Sequence, residues 1–295
     1  MKIGLVMSSG SQLYQDAVKG FTRFGQIFLC HDSVVHQELR NCDLYVMMGN
    51  DVKGRRAKEF VYKSGKPFLV VTGSLFNVKN PTMVRVSVNG FVNNMSQLPD
   101  ADYSRWEKIR KYYDFNNIFK KREGKGVVIA LNAKTSPAQF DGLEDWLYNT
   151  VKTVSENTDQ PIYIRHHRKR KQGYTNKYNQ ILEEFKVHQD GDTKQGGIPK
   201  QYAAAVTYTS TFSVTSLMYG TPHIATHPGN FVYDITKSEP IDLDWYPDED
   251  SLTYHYARLA RTEWTLQEIH YGQCWETLEP LLRSNPQENY DWIGV

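Results

Sequence analysis

The stretch NNIFKKREGKGVVIAL, residues 116–131, decides how the chain is organised. Its polar, glycine-bearing first part, Asn116 to Gly126, has the composition of a domain boundary, and Val127–Leu131 is a short apolar run of the kind that forms a buried strand. The same alternation extends outward on both sides. Before the boundary, Ile3–Met7, Gln26–Cys30, Asp43–Met48 and Pro67–Val71 read as strands. Ile3–Met7 is followed by small residues and a helix through Tyr14, Val18 and Phe21, and Val52–Ser64 has helical character. Met83–Val88 is a further strand ending at the turn pair Asn89-Gly90, and Tyr103–Tyr113 reads as a charged surface helix. After the boundary, strands are predicted at Val127–Leu131, Pro161–Arg165, Ala203–Thr209 and His223–Thr226. Helices are predicted at Leu143–Asn157, Asn176–Phe185, Ser213–Tyr219 and Ser251–Tyr271. Strands alternating with helices predict parallel sheets covered on both faces, so the fold class is α/β with two successive units of similar size.

Composition narrows the function classes. With 295 residues, 40% hydrophobic and 23% charged, the chain is neither fibrous, disordered nor a disulfide scaffold. No apolar run reaches the roughly 18 residues of a membrane span, and the N-terminal apolar stretch is too short for a signal peptide. Cys30, Cys42 and Cys274 lie far apart without CxxC spacing, which argues against a zinc ribbon or redox pair and for a cytoplasmic protein. The formal charge is only +2, so contact with a polyanion must come from local patches.

Two segments carry chemistry. YIRHHRKRK, Tyr163–Lys171, follows a strand whose carboxyl end faces ligand in this architecture. Arg165 presents a planar fork suited to two phosphate oxygens and His166 can donate to a third; in the plainer reading, Arg168–Lys171 is a solvated basic loop. In TYTSTFSVTSLMYGTP, Thr207–Pro222, the hydroxyls of Ser210, Thr211 and Ser213 lie between a strand and a helix, where backbone N–H groups bind phosphate. The same hydroxyls serve equally as ordinary N-caps. No GxGxxG follows a strand, no GxxxxGK[ST] occurs and no GxSxG elbow is present, which lowers the standing of dinucleotide oxidoreductases, P-loop enzymes and α/β-hydrolases. Trp264 and Trp275, in the helical C-terminal segment, read as core residues.

Five ordered blocks, SVNGFVNN (Ser87–Asn94), GVVIALN (Gly126–Asn132), TDQPIYIRHH (Thr158–His167), STFSVTSLMYGTPHIA (Ser210–Ala225) and ARTEWTLQEIHYGQCWE (Ala260–Glu276), resemble bacteriophage glycosyltransferases of the GT-B fold. Some of that group are implicated in adding sugars to hydroxymethylated pyrimidines in phage DNA. The resemblance covers roughly residues 40–280 and extends to polysaccharide transferases in the donor-binding half. It departs at His167, where related sequences often carry proline, and in the helix after the hydroxyl cluster, which has Ser213 to Ser216 in place of a ribose-binding Glu.

The resemblance implies two Rossmann-like domains facing each other across a cleft. Residues 1–120 would bind the acceptor, 121–270 the nucleotide-sugar, and 271–295 would cross back to the first domain. It implies a nucleotide-sugar co-substrate, with a UDP-sugar expected, no required cofactor and no metal. Arg165, His166, Ser210, Thr211 and Ser213 would hold the donor diphosphate, and Glu239 would contact the ribose. A base on a first-domain loop is expected at Asp51, with His31 and Asp32 as seconds; Asp51 equally suits a helix cap. For double-stranded DNA as acceptor, Lys53, Arg55, Arg56 and Arg105 would contact phosphates, and Phe91 or Phe76 would stack a flipped base. The alternatives are transfer to a polysaccharide or surface glycan, and a module that binds nucleotide-sugar or DNA without turnover.

Overall fold

The computed structural model describes residues 2–7, 12–29, 37–48, 55–76, 83–90, 100–131, 142–166, 176–190, 202–236 and 242–284. In chain order the elements are β1 (Ile3–Met7), α1 (Gln12–Lys19), β2 (Gln26–Leu29), β3 (Leu44–Met48), α2 (Arg55–Lys63), β4 (Phe68–Gly73), β5 (Met83–Val88) and α3 (Tyr103–Tyr112). There follow β6 (Val127–Ala130), α4 (Leu143–Asn157), β7 (Ile162–Arg165), α5 (Asn176–Glu184), β8 (His188–Gln189), β9 (Ala204–Thr207), α6 (Phe212–Met218) and β10 (His223–Ala225). The chain closes with α7 (Glu249–Ala260), β11 (Glu263–Thr265), α8 (Leu266–His270) and α9 (Gln273–Ser284). No helix among the described residues is long and apolar enough to cross a membrane.

The chain forms two compact units, Met1–Asp102 with Ala257–Val295, and Tyr103–Tyr256. These limits differ from the expected 1–120 and 121–270. In the first unit the sheet runs β11-β5-β4-β3-β1-β2. Strands β2, β1, β3 and β4 are parallel, whereas β5 is antiparallel to β4 and β11 antiparallel to β5. Side chains alternate between faces with the period of a strand. Ile3, Leu5, Met7, Val46, Met48, Leu69 and Val71 pack with Val18 and Phe21, and with Trp275 and Leu278 of α9. Val6, Tyr45, Met47, Phe68 and Val70 pack instead with Leu39 and with Ala57 and Val61 of α2. Both Trp264 and Trp275 belong to the first of these cores, with Trp275 stacked on Phe24 at 5.0 Å.

The second unit's five strands, in order β10-β9-β6-β7-β8, are all parallel. Val127, Ile129, Ile164 and Val206 form its core with Leu147, Val151 and Val154 of α4 and with Tyr178 and Ile181 of α5.

Two expectations change. Ser251–Tyr271 is not one helix but α7, β11 and α8. The apolar spacing of Leu252, Leu259, Leu266 and Ile269 hid the break, which is local: Thr265 and Glu268 form a capping box that starts α8 afresh. The stretch Asn116–Gly126 is not a linker between units. It belongs to the second, where Phe119 N–H donates to Met218 O at 2.9 Å and Arg122 N–H to Gly220 O at 2.8 Å. Trp106 of α3 packs on Phe119 and Tyr256, which draws α3 into the same unit.

Gly220 sits at φ +88° with space for a Cβ only 1.9 Å from Lys120 O. Gly220→Ala is therefore expected to cost about 2 kcal/mol or more, read as a lower urea midpoint with unchanged m-value. Glu263 of β11 lies opposite Arg85 of β5, both buried, and its Oε1 accepts from Leu75 N–H at 2.9 Å. Glu263→Gln leaves the guanidinium uncompensated and is expected to cost about 3 kcal/mol in the same assay.

Candidate functional site

Because every strand of the second unit's sheet points the same way, their carboxyl ends gather on one edge, where ligands bind in open α/β sheets. Arg165 ends β7. Its side chain is 12% exposed, with Nη1 3.8 Å from Oδ2 of Asp190 and the guanidinium 4.8 Å from the ring centroid of Phe212. Phe212 opens α6, so this stacking brings Arg165 to the Ser210–Ser213 turn. Asp190 follows β8 and also hydrogen-bonds Tyr202, whose hydroxyl is pushed well above its ordinary pKa by burial and by that carboxylate. His166, the next residue, places Nε2 2.6 Å from the hydroxyl of buried Tyr178.

The hydroxyl turn divides its labour. Ser213 is fully buried and donates to Ser210 O at 2.8 Å, so it serves the turn rather than the surface. Ser210 Oγ accepts from Phe212 N–H at 3.3 Å. Thr211 is exposed at the N-cap and its side chain makes no capping bond there.

Beneath the turn runs a buried polar chain. Ser216 Oγ lies 2.7 Å from His223 Nδ1, His223 Nε2 lies 2.9 Å from Thr207 Oγ1, and Asn230 Nδ2 donates to Thr207 Oγ1 at 2.8 Å and to Tyr208 O at 2.9 Å. Ser216 donates to Ser213 O at 3.1 Å. A neutral imidazole with its proton on Nδ1, donating to Ser216 while Thr207 donates to Nε2, satisfies every member. Burial holds His223 neutral, its pKa lowered to about 3.

Beside it lies an aromatic group that the motifs did not single out. Tyr208 follows β9 and His227 follows β10, with ring centroids 4.1 Å apart. Trp146, in the first turn of α4, meets Tyr208 edge-on at 5.7 Å and donates its indole N–H to Thr226 Oγ1 at 2.9 Å. Burial lowers the His227 pKa to about 4. The one sequence signal was positional: each of Tyr208 and His227 stands within two residues of a strand's end.

His31, Asp32, Asp51, Lys53, Phe91 and Glu239 lie outside the described residues, as does the side chain of Arg55 in α2. Arg56 is exposed on α2 in the first unit, whereas Arg105, half-buried on α3, belongs to the second. Phe76 is fully buried in the first unit, which rules it out as a stacking surface in this conformation. Among the described residues, no three His, Cys, Asp or Glu side chains gather as metal ligands do.

No protein-family profile and no curated protein matches the chain. Solved structures do. The β-Kdo 2,7 transferase of Thermosulfurimonas dismutans KpsC superposes with a TM-score of 0.54 at 11% identity, covering 94% of this chain and 99% of that one. The β-Kdo 2,4 transferase of the same KpsC gives a TM-score of 0.50 at 11% identity, covering 88% and 90%. The chain thus has the GT-B fold of two Rossmann-like α/β units.

The His223 chain generates a pH expectation. Its folded pKa is depressed from 6.5 to about 3, so the unfolded chain takes up a proton that the folded one refuses. Stability is fully present above pH 6.5 and falls as pH drops through the window between those values. His227, depressed to about 4, adds in the same direction. His223→Gln is expected to be less stable at pH 7 but to flatten the thermal-midpoint profile between pH 4 and pH 6.5, measured by circular dichroism.

Proposed function

We propose that this chain is a glycosyltransferase that moves a sugar from a nucleotide donor, held by the second unit, to an acceptor hydroxyl. The observation that carries this reading is Arg165 at the carboxyl end of an all-parallel sheet, stacked on the first residue of α6, in a fold shared with two Kdo transferases. In such a transfer the bond between the anomeric carbon and the donor phosphate oxygen breaks and a bond to the acceptor oxygen forms. The leaving phosphate gathers negative charge, and a fixed guanidinium in a part-buried site stabilises it more than water does. The Thr211 hydroxyl, exposed at the start of α6, would bind a further phosphate oxygen. Ser210 and His166 are assigned neighbouring donor contacts, and Glu239 the ribose. The acceptor's proton goes to a base assigned to Asp51, with His31 and Asp32 next in order.

The acceptor favoured here is a sugar hydroxyl of a glycan. The matched proteins are named Kdo transferases.

The test is mass spectrometry of products after incubation with a panel of nucleotide-sugars, without added metal. The acceptors are oligosaccharides and DNA containing hydroxymethylcytosine or hydroxymethyluracil. A glycan gaining one sugar mass is expected. Arg165→Ala should lower kcat/KM by about 100-fold or more, while Arg55→Ala with Arg56→Ala should leave glycan transfer unchanged. Sugar mass on the modified nucleoside, made salt-sensitive by those two arginines, would assign DNA as the acceptor. Absence of both donor binding and donor hydrolysis would overturn the transferase reading.

A further inference from the structure

The aromatic group of the second unit has no part in the phosphate chemistry just described, yet it is built as a surface. Trp146 is oriented by its bond to Thr226, and Thr226 in turn donates to Thr207 O at 3.3 Å. His227 Nδ1 accepts from Gly229 N–H at 3.1 Å, which puts the proton of the neutral ring on Nε2. Asn230 holds the Tyr208 carbonyl. All three rings are partly exposed, and none is free to turn without breaking one of these bonds or contacts. A surface fixed in this way stacks a ligand at small entropic cost.

Its position relates it to Arg165. Tyr208 stands at the end of β9 and Arg165 at the end of β7, with β6 between them. Two inter-strand spacings make about 10 Å. The Arg165 side chain spans part of that gap, its guanidinium 4.8 Å from the ring of Phe212, four residues after Tyr208, so one ligand of nucleotide length reaches both. Charge follows the same division. With His227 neutral, the aromatic end presents no charge near pH 7, whereas the other end presents a guanidinium. An uncharged planar base at one end and a diphosphate at the other is the complementary ligand.

We infer that Trp146, Tyr208 and His227 form the platform on which the base of the donor nucleotide stacks, with its phosphates at Arg165. The inference rests on the nucleotide-donor reading above and adds to it the residues that recognise the base.

The experiment titrates the full chain with UDP, CDP and ADP, and with pyrophosphate as the probe that lacks a base, following tryptophan fluorescence and, for Kd, calorimetry. Nucleoside diphosphates are expected to bind about tenfold or more tighter than pyrophosphate, the range that base–aromatic stacking supplies. Tyr208→Leu, which keeps apolar volume, should bring that ratio towards one and leave the pyrophosphate Kd unchanged. Trp146→Phe should abolish most of the fluorescence change while retaining binding. Arg165→Ala should weaken nucleotide and pyrophosphate alike. Saturation-transfer NMR on the unaltered protein gives a second reading that no folding defect can disturb, with transfer expected to be strongest on the base protons. A nucleotide-to-pyrophosphate ratio that survives Tyr208→Leu, or saturation spread evenly over base and ribose, overturns the platform while leaving the donor site standing. Failure of the wild-type chain to bind any of the four probes overturns the donor reading and the platform together.

Discussion

The first unit depends on a pair of opposite charges buried between two strands far apart in the sequence. Glu263 and Arg85 face each other across β11 and β5, and neither reaches water to any useful extent. A lone carboxylate in that position would be very costly. Here its attraction to the guanidinium is supplemented by Leu75 N–H on Glu263 and by Thr72 Oγ1, which accepts from Arg85 Nε at 3.0 Å. Burial lowers the Arg85 pKa to about 10, still high enough to keep it charged, with Glu263 opposing the shift. Because β11 comes after the whole second unit in the chain, the first sheet lacks its edge strand until residues 263–265 return. The pair also favours one register: moving β11 by one residue would turn Glu263 towards the apolar core in which Trp264 now packs.

The second unit meets a different constraint. An all-parallel sheet covered by helices is apolar within its strands, so polar groups concentrate at the strand ends. There they form two kinds of arrangement. One is inward: Ser213, Ser216, His223, Thr207 and Asn230 satisfy one another and lock α6 to β9 and β10. The other lies nearer the surface: Arg165 leans on Asp190 and Phe212, and Tyr208 on His227 and Trp146. The inward set makes the outer set rigid, since Asn230 and Thr207 belong to the first and hold the backbone of Tyr208 and the hydroxyl of Thr226 in the second.

This division bears on how a short helix can contribute to anion binding. α6 has only seven residues, and its buried hydroxyls are already engaged. The fixed charge at its start comes from Arg165, which reaches it from another strand. Cation–π stacking on Phe212 orients the guanidinium plane, and Asp190 tethers one edge.

The sequence by itself determined most of the strands and helices of both units, though not β8, β11 or α9, and the position of Arg165 at a strand end, because apolar runs, turn residues and period-2 alternation are local properties. It also assigned Trp264 and Trp275 to the core. It misread Ser251–Tyr271, where a sevenfold apolar spacing spanned a three-residue strand, although the Thr265–Glu268 capping pair was legible. It could not see that Asn116–Gly126 is bound into the second unit, since polar composition says nothing about which backbone groups it meets. Nor could it separate the inward Ser213 from the outward Thr211, or join Trp146 to Tyr208 and His227. Those pairings are set by which strands are neighbours in a sheet, and strand order is decided only when distant segments pack.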